Sequence, residues 1–274
     1  MLKNLRSKDN LSNIIAPSSS GQGCLALDQT TPVRIWPGLF LFEKEMNFME
    51  DVLKKALEER KRLREVYNTI ADCWSHLRAT PWPEVKDFSS SVKGLILDIG
   101  CSNGRNLLPF LEKGMKCVGF DFSHNMIREA KKFLKKKGFT TNLLIADVLE
   151  LPFKEESFDA IVFSRALHHI PTSNLRVETL KNVAKLLKKG GKILITVWRR
   201  YYPRFLQDYF SNIFEKKFEF GDTYKVWHYK GKAYKRFYHL YSQKELETEL
   251  AKAGLKVEKI YKDDGCLVTV CGRS

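Results

Sequence analysis

The chain has no Cys-x-x-Cys pair; its six cysteines, Cys24, Cys73, Cys101, Cys117, Cys266 and Cys271, are scattered. That spacing excludes a zinc ribbon within the chain, and no metal-ligating set is expected. Cys101 and Cys117 fall at positions predicted to be buried, which suits reduced intracellular thiols. No apolar run approaches the roughly 18 residues needed to cross a membrane. Trp36-Pro-Gly-Leu-Phe-Leu-Phe42 is too short and wrongly flanked for a signal peptide. No internal repeat is found. These absences lead to the expectation of a cytoplasmic protein with no membrane partner.

What is present is a 274-residue chain, 43% hydrophobic, with a net charge of +15. The apolar content suffices for a real core. The charge points to a polyanionic partner such as nucleic acid, against the plainer reading of a lysine-rich surface. Residues 1–45 carry loop chemistry, Ser18-Ser-Ser-Gly-Gln-Gly23 and Thr30-Thr-Pro32, and are expected to form a flexible extension. Met46 and Met49 directly precede a helical stretch and are candidate natural starts. From about Glu50 to Trp74 apolar residues recur every three or four positions, which predicts an amphipathic helix. Pro81-Trp82-Pro83 then imposes a rigid loop.

Residues 92–198 alternate strand and helix patterns, the mark of a parallel sheet covered on both faces. The first strand runs into Asp98 and a turn bracketed by Gly100 and Gly104. Glycines let backbone N–H groups approach a nucleotide-like ligand there. A second strand ends at Asp121, about 20 residues on, where a carboxylate suits a ribose diol. Lys188-Lys-Gly-Gly191 reads as a helix stop before a fifth strand, 192–198. After Trp198 the period weakens into a segment, 199–239, rich in bases and aromatics. Ser242-Gln-Lys-Glu245 is a capping box opening a helix, followed by two strands.

At Asp98-Ile-Gly-Cys-Ser-Asn-Gly104, with Asp121, Ala146-Asp147, Leu151-Pro152, Ser157-Phe-Asp159 and Lys189-Gly-Gly191, the chain resembles a class I S-adenosylmethionine-dependent methyltransferase. The resemblance covers roughly residues 90–271. It implies an α/β, Rossmann-like, seven-stranded mostly parallel sheet whose last strand is antiparallel, with the basic insertion after strand five. It places Asp98 and Gly100 under the methionine part of S-adenosylmethionine, Asp121 on the ribose, and Asp147 with Val148 around the adenine. Ser102 stands where a glycine is usual. Tyr67-Asn-Thr-Ile-Ala, Arg78, Pro81-Trp82-Pro83, Leu167-His168-His169, Val197-Trp198, Gly221-Asp222, Lys230-Gly231 and Arg236-Phe-Tyr-His239 narrow it to the tRNA wobble-uridine carboxymethyl methyltransferases. That family implies methyl transfer to 5-carboxymethyluridine in the anticodon, often with a small zinc-binding activator subunit.

A carboxylate acceptor is already anionic at neutral pH, so transfer to it needs alignment and an anion clamp, not a strong base. Arg78 and Arg236 are the candidate clamps, because a guanidinium forks onto one carboxylate. His169, after strand four, either orients the uracil or packs on the cofactor loop. Arg165 either touches the cofactor carboxylate or caps its loop. Trp82 and Trp198 are candidate stacking platforms, with core packing the alternative for Trp198. Arg199, Lys230, Tyr238 and His239 are assigned to the anticodon stem-loop surface, where cations track phosphates and rings stack on bases. Two rivals share the cofactor half: a methyltransferase for a quinone-like small molecule, and a non-catalytic RNA-binding protein on the same fold.

Overall fold

The computed structural model describes residues 37–203 and 218–273, with side chains from residue 47. Residues 1–36 of the predicted extension, and Arg204, Lys216 and Lys217 of the basic segment, lie outside the described residues.

Five strands pair in parallel: β1 (Leu95–Ile99), β2 (Lys116–Asp121), β3 (Asn142–Ile145), β4 (Phe158–Ser164) and β5 (Leu187–Trp198). They are joined by β8 (Leu255–Asp263) and β9 (Cys266–Arg273) into one sheet of seven, ordered β3-β2-β1-β4-β5-β9-β8. β9 runs antiparallel to both neighbours, as the resemblance implied. β1, β2 and β4 are predominantly apolar, without strict alternation, because both their faces are covered. One face packs Phe120, Phe158 and Ile195 against α5 (Ser173–Leu186) and α6 (Gln243–Lys252). The other packs Ile96, Val162 and Leu194 under α2 (Pro83–Ser89) and α3 (Leu108–Leu111).

α4 (His124–Lys136) starts at Ser123, whose hydroxyl accepts the Met126 N–H, and ends in lysines that favour a helix C-terminus. The capping box closes α6 as predicted, with Ser242 and Glu245 bonded reciprocally. Two boundaries differ from the sequence reading. α5 stops at Leu186, and Lys188-Lys-Gly-Gly191 belongs to β5, which pairs Leu187 with Phe158 and then shifts register. Lys188 is held there by Asp159 at 2.9 Å. The first helix, α1, runs Pro37–His76, so residues 37–45 join a helix and not a loose extension. Proline suits a first helical turn, where its missing N–H has no helical partner anyway.

The basic segment holds structure that its period concealed. β6 (Asp222–Tyr229) and β7 (Lys232–His239) form an antiparallel hairpin apart from the main sheet. Its two-residue turn, Lys230-Gly231, has φ values of 48° and 71°, the left-handed pair a tight hairpin turn requires.

Candidate active site

Strand order departs from β1 in opposite directions, to β2 and β3 on one side and to β4 and β5 on the other. The loops after β1 and β4 therefore part at the carboxyl edge and leave a cleft. It encloses about 1220 Å³ out to open solvent and is lined by those loops, the loops after β2 and β3, α1, and Tyr238 of β7.

The loop after β1 turns on three left-handed residues, Gly100 (φ 68°), Ser102 (φ 51°) and Gly104 (φ 77°). A Cβ on Gly100 would lie 2.8 Å from the Ala166 methyl, so only glycine fits. Ser102 tolerates its conformation because its groups are used. Its N–H donates to Asp121 Oδ2 at 3.0 Å, and its hydroxyl accepts the Trp74 indole N–H at 3.1 Å. Asp121 Oδ1 accepts the Ser123 N–H at 2.9 Å. Burial raises the Asp121 pKa to about 6, with those two hydrogen bonds opposing and nearby Asp147 adding to the rise. Asp98 is buried, its Oδ2 has no partner, and desolvation followed by Asp121 repulsion pushes its pKa well up.

α1 crosses the carboxyl edge and touches one loop after another. Arg60, Tyr67 and Trp74, seven apart and hence on one helix face, line the cleft. Arg60 pairs with Asp147, Asn68 accepts the Ser123 hydroxyl at 2.7 Å, Tyr67 bonds His169 at 2.9 Å, and Trp74 bonds Ser102. The sequence reading missed all four contacts. The heptad spacing of cation and aromatics was its only local signal.

Arginines crowd the cleft. Arg165 pairs with Glu84 and lies over Trp82 at 3.6 Å; Arg105 lies over the same ring at 4.6 Å. Trp82 thus faces two guanidinium groups and lines the cleft between them and the loop after β1. Arg105 was also missed, although it follows Gly104 directly. Burial, then repulsion by Arg78 and Arg165, lowers its pKa to about 10. Arg78 stacks on Trp74 at 3.5 Å, and its pKa is lowered by burial and by Arg236. Arg236, on β7, lies 5.0 Å from Trp74, 5.2 Å from Trp227 and 5.4 Å from Tyr238. The two candidate clamps, 158 positions apart in sequence, therefore share one aromatic wall beside the cleft.

The paired histidines have fixed roles. His169 Nδ1 donates to the Phe237 carbonyl at 2.7 Å, so Nε2 accepts the Tyr67 hydroxyl. Burial takes its pKa to about 3; the Phe237 hydrogen bond opposes this, while Arg236 and Arg60 add to the fall. With both nitrogens used, His169 packs the cofactor loop against β7 and does not reach for a base. His168 Nδ1 accepts the Trp198 N–H at 3.3 Å, which puts its proton on Nε2, a buried nitrogen without a partner. Trp198 and Tyr238 line the same wall, their rings edge to face at 6.4 Å.

Three candidates lie away from the cleft. Arg199 sits over Tyr202 at 5.4 Å, its backbone tied to Gly265. Lys230 is exposed at the hairpin turn, over Tyr229. His239 is a correction: it is wholly buried at the hairpin base and contacts no open surface. Its Nδ1 donates to Asp222 at 2.7 Å and its Nε2 to Glu245 at 2.9 Å. Burial opposes its charge, but those two carboxylates outweigh burial and raise its pKa. Glu219, Asp222 and His239 come close enough to hold a metal ion, yet their ligand atoms are spent on one another, Arg176 and Glu245.

The residues present fit S-adenosylmethionine. The orphaned Asp98 Oδ2 calls for a cationic donor such as the methionine ammonium. Arg105, close enough for Asp98 to feel its charge and repelled by its neighbours, calls for a carboxylate. Asp121 retains lone pairs for a diol.

The comparisons agree with this reading. The family described as a methyltransferase domain matches residues 96–191. A tRNA (carboxymethyluridine(34)-5-O)-methyltransferase of Xenopus tropicalis is 37% identical over 142 residues, which is 51% of this chain and 21% of that protein. One from Saccharomyces cerevisiae is 32% identical over 170 residues, 58% of this chain and 59% of that protein. This chain thus spans between about a fifth and three fifths of these relatives. A solved S-adenosylmethionine-dependent methyltransferase from Methanosarcina mazei shares the fold, with a TM-score of 0.60 and 20% identity over 71% of this chain and 98% of that one. The resemblance drawn from the motifs is borne out. No helix among the described residues is long and apolar enough to cross a membrane.

Proposed function

We propose that the chain methylates the carboxylate of 5-carboxymethyluridine at the wobble position of tRNA, using S-adenosylmethionine, in the cytoplasm. The observation that carries the reading is the make-up of the wall beside the cofactor cleft. It offers two guanidinium groups, Arg78 and Arg236, on the faces of Trp74 and Trp227, and its two histidines are not available as bases. His169 is engaged at both nitrogens, and burial holds His168 neutral. Such a wall suits an acceptor that arrives as an anion and excludes one that must first lose a proton.

The bound cofactor supplies an electrophilic methyl on a sulfonium. The chain's own part is binding and alignment. Asp98 and Arg105 take the charged ends of the methionine part, and Asp121 the ribose. Arg78 and Arg236 hold the acceptor carboxylate at fixed height. The indole faces of Trp74 and Trp227 help hold both guanidinium groups in place. Trp198 and Tyr238 present ring faces to an unstacked uracil, and His168 Nε2–H is a neutral donor for one of its oxygens. Holding the reacting atoms in line supplies much of the rate enhancement in such a transfer.

The hairpin, with exposed Lys230 at its tip, and Arg199 form the basic surface toward the anticodon stem-loop. A small zinc-binding activator subunit completes the reading as partner. Nucleoside mass spectrometry of tRNA from cells lacking the gene tests it. Accumulated 5-carboxymethyluridine, reversed by the wild-type gene and not by an Arg236→Ala gene, is expected; an unchanged wobble profile overturns it.

A further inference from the structure

We propose that Arg60 sets the base specificity of the cofactor cleft by fixing Asp147 as an acceptor open on one side. The inference rests on the cofactor reading above and adds to it a residue and a discrimination.

Arg60 reaches the cleft from α1, 87 positions before Asp147, and is only 6% exposed. Its Nη2 donates to Asp147 Oδ1. The same oxygen accepts the Leu149 N–H at 3.0 Å. Two donors on Oδ1 saturate it and stop the carboxylate from rotating. Oδ2 takes no hydrogen bond from the described residues. The Asp147 side chain is 33% exposed, and its chain neighbours Ala146 and Val148 both line the cleft, as does its partner Arg60.

The second observation is on the arginine itself. Its Nε is buried without a partner, although the guanidinium belongs to the cleft wall. Buried N–H groups are nearly always satisfied, so this one points to a ligand acceptor. Phe122, 5.7 Å from the guanidinium, and Val148 give that end of the cleft apolar surface for a planar base.

One open acceptor and one open donor match adenine, whose exocyclic amine donates beside a ring nitrogen that accepts. Hypoxanthine inverts both, bringing a carbonyl oxygen against Asp147 and an N–H against Arg60. A site built for one pattern leaves buried groups unpaired with the other. Without Arg60 the carboxylate is free to turn, and the donor is gone. If Arg60 merely anchored α1, removing it would weaken both ligands alike.

Calorimetric titration of S-adenosylhomocysteine and S-inosylhomocysteine into wild type, Arg60→Gln and Arg60→Lys, each with its thermal melt, separates the two. Wild type should prefer the adenosyl compound by about 10-fold or more, the worth of a hydrogen bond to a charged group. Arg60→Gln should reduce the preference to about 3-fold or less, chiefly by weaker adenosyl binding. Arg60→Lys keeps the anchoring charge and lacks the fork, so it should also lose preference, and it decides the matter should Arg60→Gln not fold. An undiminished preference in the folded variant overturns the inference, as does equal binding of both compounds by wild type. Failure of wild type to bind either overturns the cofactor reading instead.

Discussion

The cofactor end and the acceptor wall of the cleft are built in opposite ways. At the cofactor end, Asp98, Gly100, Ser102, Gly104 and Asp121 lie within 24 residues, and their geometry comes from two strand ends and one turn. At the acceptor wall, Arg78 follows α1, His168 follows β4, Trp198 ends β5, and Arg236 and Tyr238 belong to a hairpin outside the sheet. The first region depends on backbone conformation. The second depends on a separate element being held at the right height. Several ties hold the hairpin: Tyr229 near its tip bonds Asp72 of α1 at 2.7 Å, Arg62 of α1 donates to the Lys235 carbonyl at 2.7 Å, His169 donates to the Phe237 carbonyl, and at its base His239 bridges Asp222 and Glu245. Damage should therefore separate into loss of cofactor at one end and loss of transfer at the other.

The largest separation is expected from the clamps. Arg236→Ala or Arg78→Ala should lower methylation of 5-carboxymethyluridine-containing tRNA by about 100-fold or more, since a misplaced acceptor forfeits alignment. S-adenosylhomocysteine affinity, read by calorimetry in the same samples, should change by less than about 3-fold. Equal losses in both would erase the division between the two regions.

His239→Ala tests whether the hairpin is held by its base. Removing one partner of a buried, hydrogen-bonded charge group should destabilise the chain by about 3 kcal/mol, seen as a lower midpoint in urea. The pH dependence follows from the raised pKa. His239 contributes stability that is complete below its unfolded value of about 6.5 and is lost as pH rises through the higher folded value. The wild-type midpoint should thus fall as pH rises above about 6.5, and His239→Gln should flatten that slope.

At the other end, Asp121→Ala should weaken S-adenosylhomocysteine by about 10-fold or more, the worth of a charge-assisted hydrogen bond. Asp121 titrates at about 6 in the free chain, and hydroxyl donors favour the ionised form. Wild-type affinity should therefore be level above neutrality and decline below about pH 6, by at most about tenfold per unit. A profile level down to pH 4.5 would remove Asp121 from the ribose.

The smallest effect belongs to Lys230, exposed at the hairpin turn. Lys230→Ala should weaken tRNA binding by only a few-fold and lower the salt slope by about one, leaving cofactor affinity unchanged. An unaltered slope would take the hairpin tip off the phosphate track.

The sequence by itself determined the α/β class and the residues of the cofactor turn, while the antiparallel last strand followed only from the family resemblance. In those places the signal is local: an apolar run buried on both faces, a glycine needing positive φ, an acid one strand further on. It misjudged residues whose roles depend on distant partners. His239, a base within a basic segment, reads as surface, and only the folded chain sets Asp222 and Glu245 on either side of it. The hairpin escaped because aromatic and charged residues occupy both of its faces, so no apolar–polar alternation marks it; Lys230-Gly231 was the one legible sign. Arg60 and Trp74 pass as ordinary members of an amphipathic helix until that helix is laid across the strand ends. Tertiary structure alone decided where α1 and the hairpin stand, because those placements rest on contacts between residues far apart in the chain, such as Arg60 to Asp147, Tyr229 to Asp72 and the α1 apolar face to Met126, whose partners no local pattern names.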